Sequence, residues 1–224
     1  MTAGVWQLHR AEEKQALFAS FDAGRASSAI EAPAAGADLA RLRYSTITAI
    51  GHFDAGHQVL LDARTRDGKA GYEVLTPLLC AFPANRPAIL VNRGWVPANP
   101  DRSRLPDVPV ASEQRNVTGL LDHLPRAVLS AGPATPDEDA GWPRRMLYPT
   151  AAEIGGALGY LVEDYQLLLS RAAPDGYQRE WRPAGMTPRQ HLGYAVQWFA
   201  MAAALVVLYV VLNVPTAGAA PTPP

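Results

Sequence analysis

His191-Leu-Gly-Tyr194-Ala-Val-Gln197-Trp198-Phe199 runs directly into Ala200-Met-Ala-Ala-Ala-Leu-Val-Val-Leu-Tyr-Val-Val-Leu212. Between Tyr194 and Leu212 there is no charge and no proline, and Gln197 is the one side-chain amide. At a rise of about 1.5 Å per residue, these roughly 19 residues make a helix about 29 Å long, which matches the hydrocarbon core of a lipid bilayer. In a water-soluble protein such a helix would need burial on every side, and the rest of the chain does not promise a core of that size. The reading is a transmembrane helix over residues 190–213, followed by a flexible tail over 214–224.

What precedes the helix is long enough for one domain with a core of its own, about 190 residues. With 20 Lys and Arg against 21 Asp and Glu, the formal charge of −1 argues against a nucleic-acid partner, which needs a basic excess. Cys80 is the single cysteine, so no internal disulfide forms and no Cys-rich metal site is in prospect. Residues 1–10 hold too few apolar side chains for a signal peptide or a membrane span.

Ala11 to Phe21 fits a short helix, and residues 1–21 read as a juxtamembrane segment, with an Ala, Gly and Ser-rich linker at 22–38. The domain proper then spans 39–189. Leu42, Tyr44, Thr46 and Thr48 alternate as a half-buried strand closing at Gly51. Val59–Arg64 and Tyr72–Thr76, joined by a turn at Asp67-Gly68, make a hairpin that Pro77 ends. Ala88–Val91 is a strand stopped by a turn at Asn92-Arg93-Gly94, residues 97–109 are a loop, and Asn116–Leu121 is a strand with Gly119 as a candidate bulge. Residues 132–142 are loop again, Thr150 and Glu153 have capping-box spacing, and Tyr160–Leu169 is the last strand. About six strands with short connections favour an antiparallel sheet, hence an α+β domain with a C-terminal transmembrane helix. No nucleophile, base and orienting acid form a recognisable set, so an enzyme is not expected.

Three separated blocks carry a resemblance. Gly4-Val-Trp6-Gln7-Leu-His-Arg10, with Lys14 four residues on, resembles the N-terminal segment of the Surfeit-locus family of cytochrome c oxidase assembly proteins. Val91-Asn92-Arg93-Gly94-Trp95-Val96-Pro97 resembles its central motif, and His191-x-x-Tyr194-Ala-x-x-Trp198-Phe199 its C-terminal motif at the mouth of a membrane helix. The resemblance implies a non-enzymatic membrane chaperone that takes haem a from haem a synthase and helps place it in subunit I of the oxidase. It also implies a lipid-bilayer location in the cell inner membrane, with the main domain on the periplasmic side. A structural accessory subunit or scaffold that never touches haem is the alternative. The family's first membrane helix would end at about Gly4; the expectation is a truncation, a start codon assigned too late, or a one-helix variant. Arg179, Arg182 and Arg189 precede the helix and no Lys or Arg follows Asn213, a bias that by itself puts the domain in the cytoplasm.

His191 is the candidate haem ligand, since one imidazole nitrogen can bind iron while the other donates a hydrogen bond. Tyr194 and Trp198 stand three and seven residues on, so all three share one helical stripe at the lipid–water boundary, where a macrocycle could lie. The plainer reading is an interfacial anchor belt. Arg93 is the candidate partner of a haem propionate or an oxidase carboxylate, against a solvated turn arginine or a fold-stabilising contact. Trp95 reads as packing, and Trp6, Gln7 and Arg10 as interface anchors. His52 and His57 have a spacing that could hold a metal, with no second cluster to complete it; His9 and His123 are isolated.

Overall fold

A computed structural model describes residues 2–33, 38–80, 86–126 and 141–213. The elements in chain order are α1 (Thr2–Ala26), β1 (Ile30–Glu31), β2 (Thr46–Phe53), β3 (Val59–Arg66), β4 (Lys69–Cys80), β5 (Ala88–Pro97), β6 (Arg115–His123), β7 (Arg144–Met146), α2 (Ala151–Leu158), β8 (Val162–Leu169) and α3 (Pro188–Asn213). They form two compact units, one of residues 1–20 with 182–224 and one of residues 21–181. The expected tail at 214–224 lies outside the described residues, and α1 runs on to Ala26, into the stretch read as linker.

In the second unit the eight strands lie in the order β1-β2-β6-β8-β5-β4-β3-β7, and an additional pairing of β2 with β4 closes β2, β6, β8, β5 and β4 into a small barrel. The expected antiparallel sheet is therefore corrected. Most neighbours are antiparallel, but β1–β2, β3–β7 and β5–β8 are parallel. Turn signals reveal hairpins between successive strands, whereas β5 and β8 meet only after the chain has passed through β6, β7 and α2, a connection that no local pattern announces. The two shortest strands, β1 and β7, fall below the length at which alternation can be read.

The barrel interior is filled by alternate residues: Ile47, Ala49 and Phe53 from β2, Leu78 from β4, Ile89 and Val91 from β5, Val117 and Leu121 from β6, Leu167 and Leu169 from β8. Outside the ring, Val59, Leu61, Leu75 and Leu90 pack with Met146 under Ile154 of α2. Each such side chain, taken wholly out of water, stabilises the fold by about 1.5–3 kcal/mol. The expected capping box is present: Thr150 Oγ1 accepts from the Glu153 amide, and the Glu153 carboxylate accepts from the Thr150 amide.

Two further readings change. Pro77 does not end the hairpin, because β4 continues to Cys80. Its partner on one side hands over at that point, from β3 (Val59 opposite Leu75) to β2 (Phe53 opposite Leu78), so the missing Pro77 N–H falls where no neighbour needs it. Asn92-Arg93-Gly94 is likewise no strand-ending turn. β5 passes through it with a register shift against β4 between Glu73 and Leu75, and Gly94 takes φ 113°, so these residues form a bulge. Gly119 sits in regular register instead of at a bulge; a Cβ there would lie 2.5 Å from the Leu168 carbonyl oxygen.

Candidate functional site

In the first unit α1 and α3 lie against each other. Gly4, Gln7 and Ala11 are buried along one side of α1, at the three-and-four spacing that makes a helical stripe. On α3 the buried residues are His191 and Ala195. The helices run antiparallel: Gly4 faces Phe199, whose ring carbons would stand 2.8 Å from a Cβ at residue 4, and further along Lys14 Nζ donates to the Ala184 carbonyl at 2.9 Å. Thr187 and Gln190 exchange hydrogen bonds at the start of α3, with Gln190 N donating to Thr187 Oγ1 at 3.3 Å and Thr187 N to Gln190 Oε1 at 2.7 Å. With Pro188 in the first helical position, this is a capped helix start just ahead of His191.

His191 is 6% exposed, and its Nδ1 is 2.7 Å from Gln7 Oε1. With Gln7 Oε1 as the acceptor, Nδ1 is the donor, and the neutral ring then has its lone pair on Nε2, the tautomer a metal-binding imidazole requires. The residue types at this position thus fit an axial ligand of haem iron. The predicted stripe of His191, Tyr194 and Trp198 divides, however. Contact with α1 follows the four-residue row His191, Ala195, Phe199, which tilts across the helix face, and Tyr194 and Trp198 are left on the flank with 47% and 45% exposure. They flank the histidine and do not enclose it. Trp6 is likewise exposed, and Arg10 pairs with Glu13 at 2.5 Å on the outer face of α1.

From Met201 to Leu212 the large side chains of α3 are exposed. The helix is long and apolar enough to cross a membrane and has almost no cover of its own. An apolar surface of this extent is stable in lipid, not in water.

Arg93 lies in the second unit and is 1% exposed. The bulge turns it into the protein, where Nε donates to the Asp175 carbonyl at 2.8 Å, Nη1 to Gln58 Oε1 at 2.9 Å and to the Val108 carbonyl at 3.2 Å, and Nη2 to the Pro109 carbonyl at 2.7 Å. Its guanidinium also stands over the Tyr177 ring, 4.9 Å from the centroid. Burial presses the Arg93 pKa below its ordinary value, while Tyr177 and Asp175 hold it up. With the fork occupied from within, Arg93 is a fold-stabilising knot and presents nothing to a propionate, which corrects its place among the cofactor-binding candidates. Trp95, next but one along β5, is 7% exposed and donates from Nε1 to the Arg64 carbonyl at 3.0 Å.

His57 Nδ1 lies 2.8 Å from the Asp54 carboxylate, which also accepts from the Tyr160 hydroxyl at 2.8 Å. Burial, then the Asp54 contact, pushes the Tyr160 phenol well up. Among the described residues no group of three His, Cys, Asp or Glu side chains is placed to hold a metal ion. Sequence reasoning also missed Gln7, which it grouped with Trp6 and Arg10 at the end of the expected first membrane helix. Its buried spacing with Gly4 and Ala11 was the signal that it faces a partner helix.

Comparison with known proteins gives the family. The SURF1 family profile matches residues 1–203, which takes in α1, the barrel and the first part of α3. A SURF1-like protein of Monosiga brevicollis is 26% identical over 94% of this chain and 82% of its own length. A SURF1-like protein of Drosophila melanogaster is 27% identical over 92% of this chain and 71% of its own. With three motif blocks in order, a family match across nearly the whole chain and an apolar helix at its end, this protein belongs to the SURF1 family, known as cytochrome oxidase assembly factors.

Proposed function

We propose that this protein is a membrane-anchored assembly factor that assists the delivery or insertion of haem a into subunit I of cytochrome c oxidase. The observation that supports this reading is the Gln7–His191 hydrogen bond of 2.7 Å, which leaves Nε2 as the nitrogen with a lone pair. Haem a would be cargo here, and His191 would hold its iron through Nε2. Tyr194 and Trp198, exposed on the flank of the same helix, offer ring faces beside that base. The slight exposure of His191 would suit transient holding. We further place the second unit on the extracytoplasmic side of the cell inner membrane, with haem a synthase as donor and subunit I as acceptor. No catalytic residue is assigned.

One observation favours a scaffold that never binds haem. A buried polar pair between two helices stabilises their packing by about 0.6–2 kcal/mol, and a histidine has reason to sit here on that ground alone. The two readings separate in cells from which this chain is deleted. Haem delivery predicts that subunit I is present but deficient in haem a, and that the wild-type chain restores the haem while His191→Ala does not. If subunit I falls in amount while the remainder carries full haem a, delivery is wrong and scaffolding stands.

A further inference from the structure

We infer that Gln7 is a positioning residue that fixes the tautomer and orientation of His191, so that α1, and not α3 alone, sets the ligand strength of the site. The inference rests on the reading of His191 as a haem ligand and adds a partner to it. The Gln7 side chain is nine-tenths buried on the inner stripe of α1, and its Oε1 meets His191 Nδ1 at 2.7 Å across 184 residues of sequence. An imidazole without this acceptor is free to carry its proton on Nε2, the nitrogen an iron needs. It would also be free to turn about its side-chain bonds. A ligand histidine whose second nitrogen donates to a fixed acceptor is both oriented and made more basic, and loss of such an acceptor typically weakens metal binding by about 10- to 100-fold. Both supports of the acceptor come from the fold. Gly4 lets Phe199 close against the beginning of α1, and Lys14 ties α1 to the Ala184 carbonyl just before α3, so Gln7 is held between two points of contact.

The test uses the full chain in lipid nanodiscs, with histidine nitrogens isotopically labelled and no haem present. Wild type is expected to show His191 protonated at Nδ1 and bare at Nε2. Gln7→Leu, which keeps the interface apolar, is expected to move the ring toward the Nε2-protonated form and to lower the affinity for added haem a by about tenfold or more. Gln7→Glu keeps an acceptor and strengthens it; it is expected to retain the Nδ1 proton and to bind haem a with a more negative midpoint potential than wild type. A Gln7→Leu protein with the wild-type tautomer and wild-type haem a affinity overturns the inference. Should Gln7→Leu not fold, a Gln7→Glu protein with an unchanged potential overturns it equally. Failure of the ligand reading looks different, because His191→Ala would then keep its haem a while the tautomer of the wild-type ring still followed Gln7.

Discussion

Arg93 and His191 show how far single residues can be read. Both were singled out by motif, and both are buried, but the Arg93 fork is filled by hydrogen bonds within the barrel unit while His191 makes one, to Gln7. The Arg93 guanidinium joins the loop carbonyls of Val108, Pro109 and Asp175 to the Gln58 amide. Arg93→Ala opens a buried cavity and removes the donor to the Asp175 and Pro109 carbonyls, while the Val108 carbonyl keeps Gln58 Nε2 and Gln58 Oε1 keeps Thr76 Oγ1. The expected loss is about 3 kcal/mol in denaturant unfolding of the full chain, and Arg93→Lys, which cannot fork, recovers little of it. His123 gives a pH signature. Burial lowers its pKa from 6.5, with Arg43 and Arg126 acting in the same direction. Below pH 6.5 the unfolded chain therefore takes up a proton that the folded chain resists, so stability falls as pH drops from about 7 toward 5. The unfolding midpoint should fall over that range, and less steeply in His123→Phe; an unchanged slope in the variant contradicts this assignment. The position of His191 at the start of the apolar helix was legible in the sequence. Its partner was not, because Gln7 lies 184 residues away and no local pattern joins the two.

Secondary structure was legible where one stretch of chain carries its own signal. The β3–β4 hairpin with its Asp67-Gly68 turn, the Thr150 capping box and α3 are of this kind. It was misread where a neighbour decides. Pro77 is tolerated because β4 changes partners beside it, and Gly94 takes a positive φ to make room for a bulge where a turn was expected. That bulge aims Arg93 inward, so element and residue are one feature. Gly94→Ala should cost more than about 1 kcal/mol, since φ 113° is strained for alanine and the new Cβ would lie 2.8 Å from the Gln178 carbonyl. Thermal unfolding should show both Gly94→Ala and Arg93→Ala destabilised, with the double variant losing less than the sum of the two, as expected when one change already displaces the other's contacts. Strict additivity would mean the bulge does not position Arg93.

At the level of the whole molecule the chain divides into a helix pair with an apolar extension and a small barrel, each with its own packing logic. The candidate membrane helix α3 was legible because the bilayer sets a length that sequence can be measured against. Barrel closure was not, since it depends on the pairing of β2 with β4 across the intervening β3. Sidedness sets two arguments against each other, the arginines ahead of α3 and the topology of the family. A fluorescent protein fused after Pro224 is expected to fold and fluoresce in the cytoplasm, with the barrel across the membrane; a dark fusion that is active as a periplasmic reporter would reverse the orientation. The haem proposal meets its most direct test in the absorption spectrum of the intact protein purified from cells that make haem a. Wild type is expected to carry a haem a spectrum, and His191→Ala to lose most of it while remaining folded. Haem a retained by His191→Ala at the wild-type stoichiometry would contradict the assignment of His191 as the iron ligand.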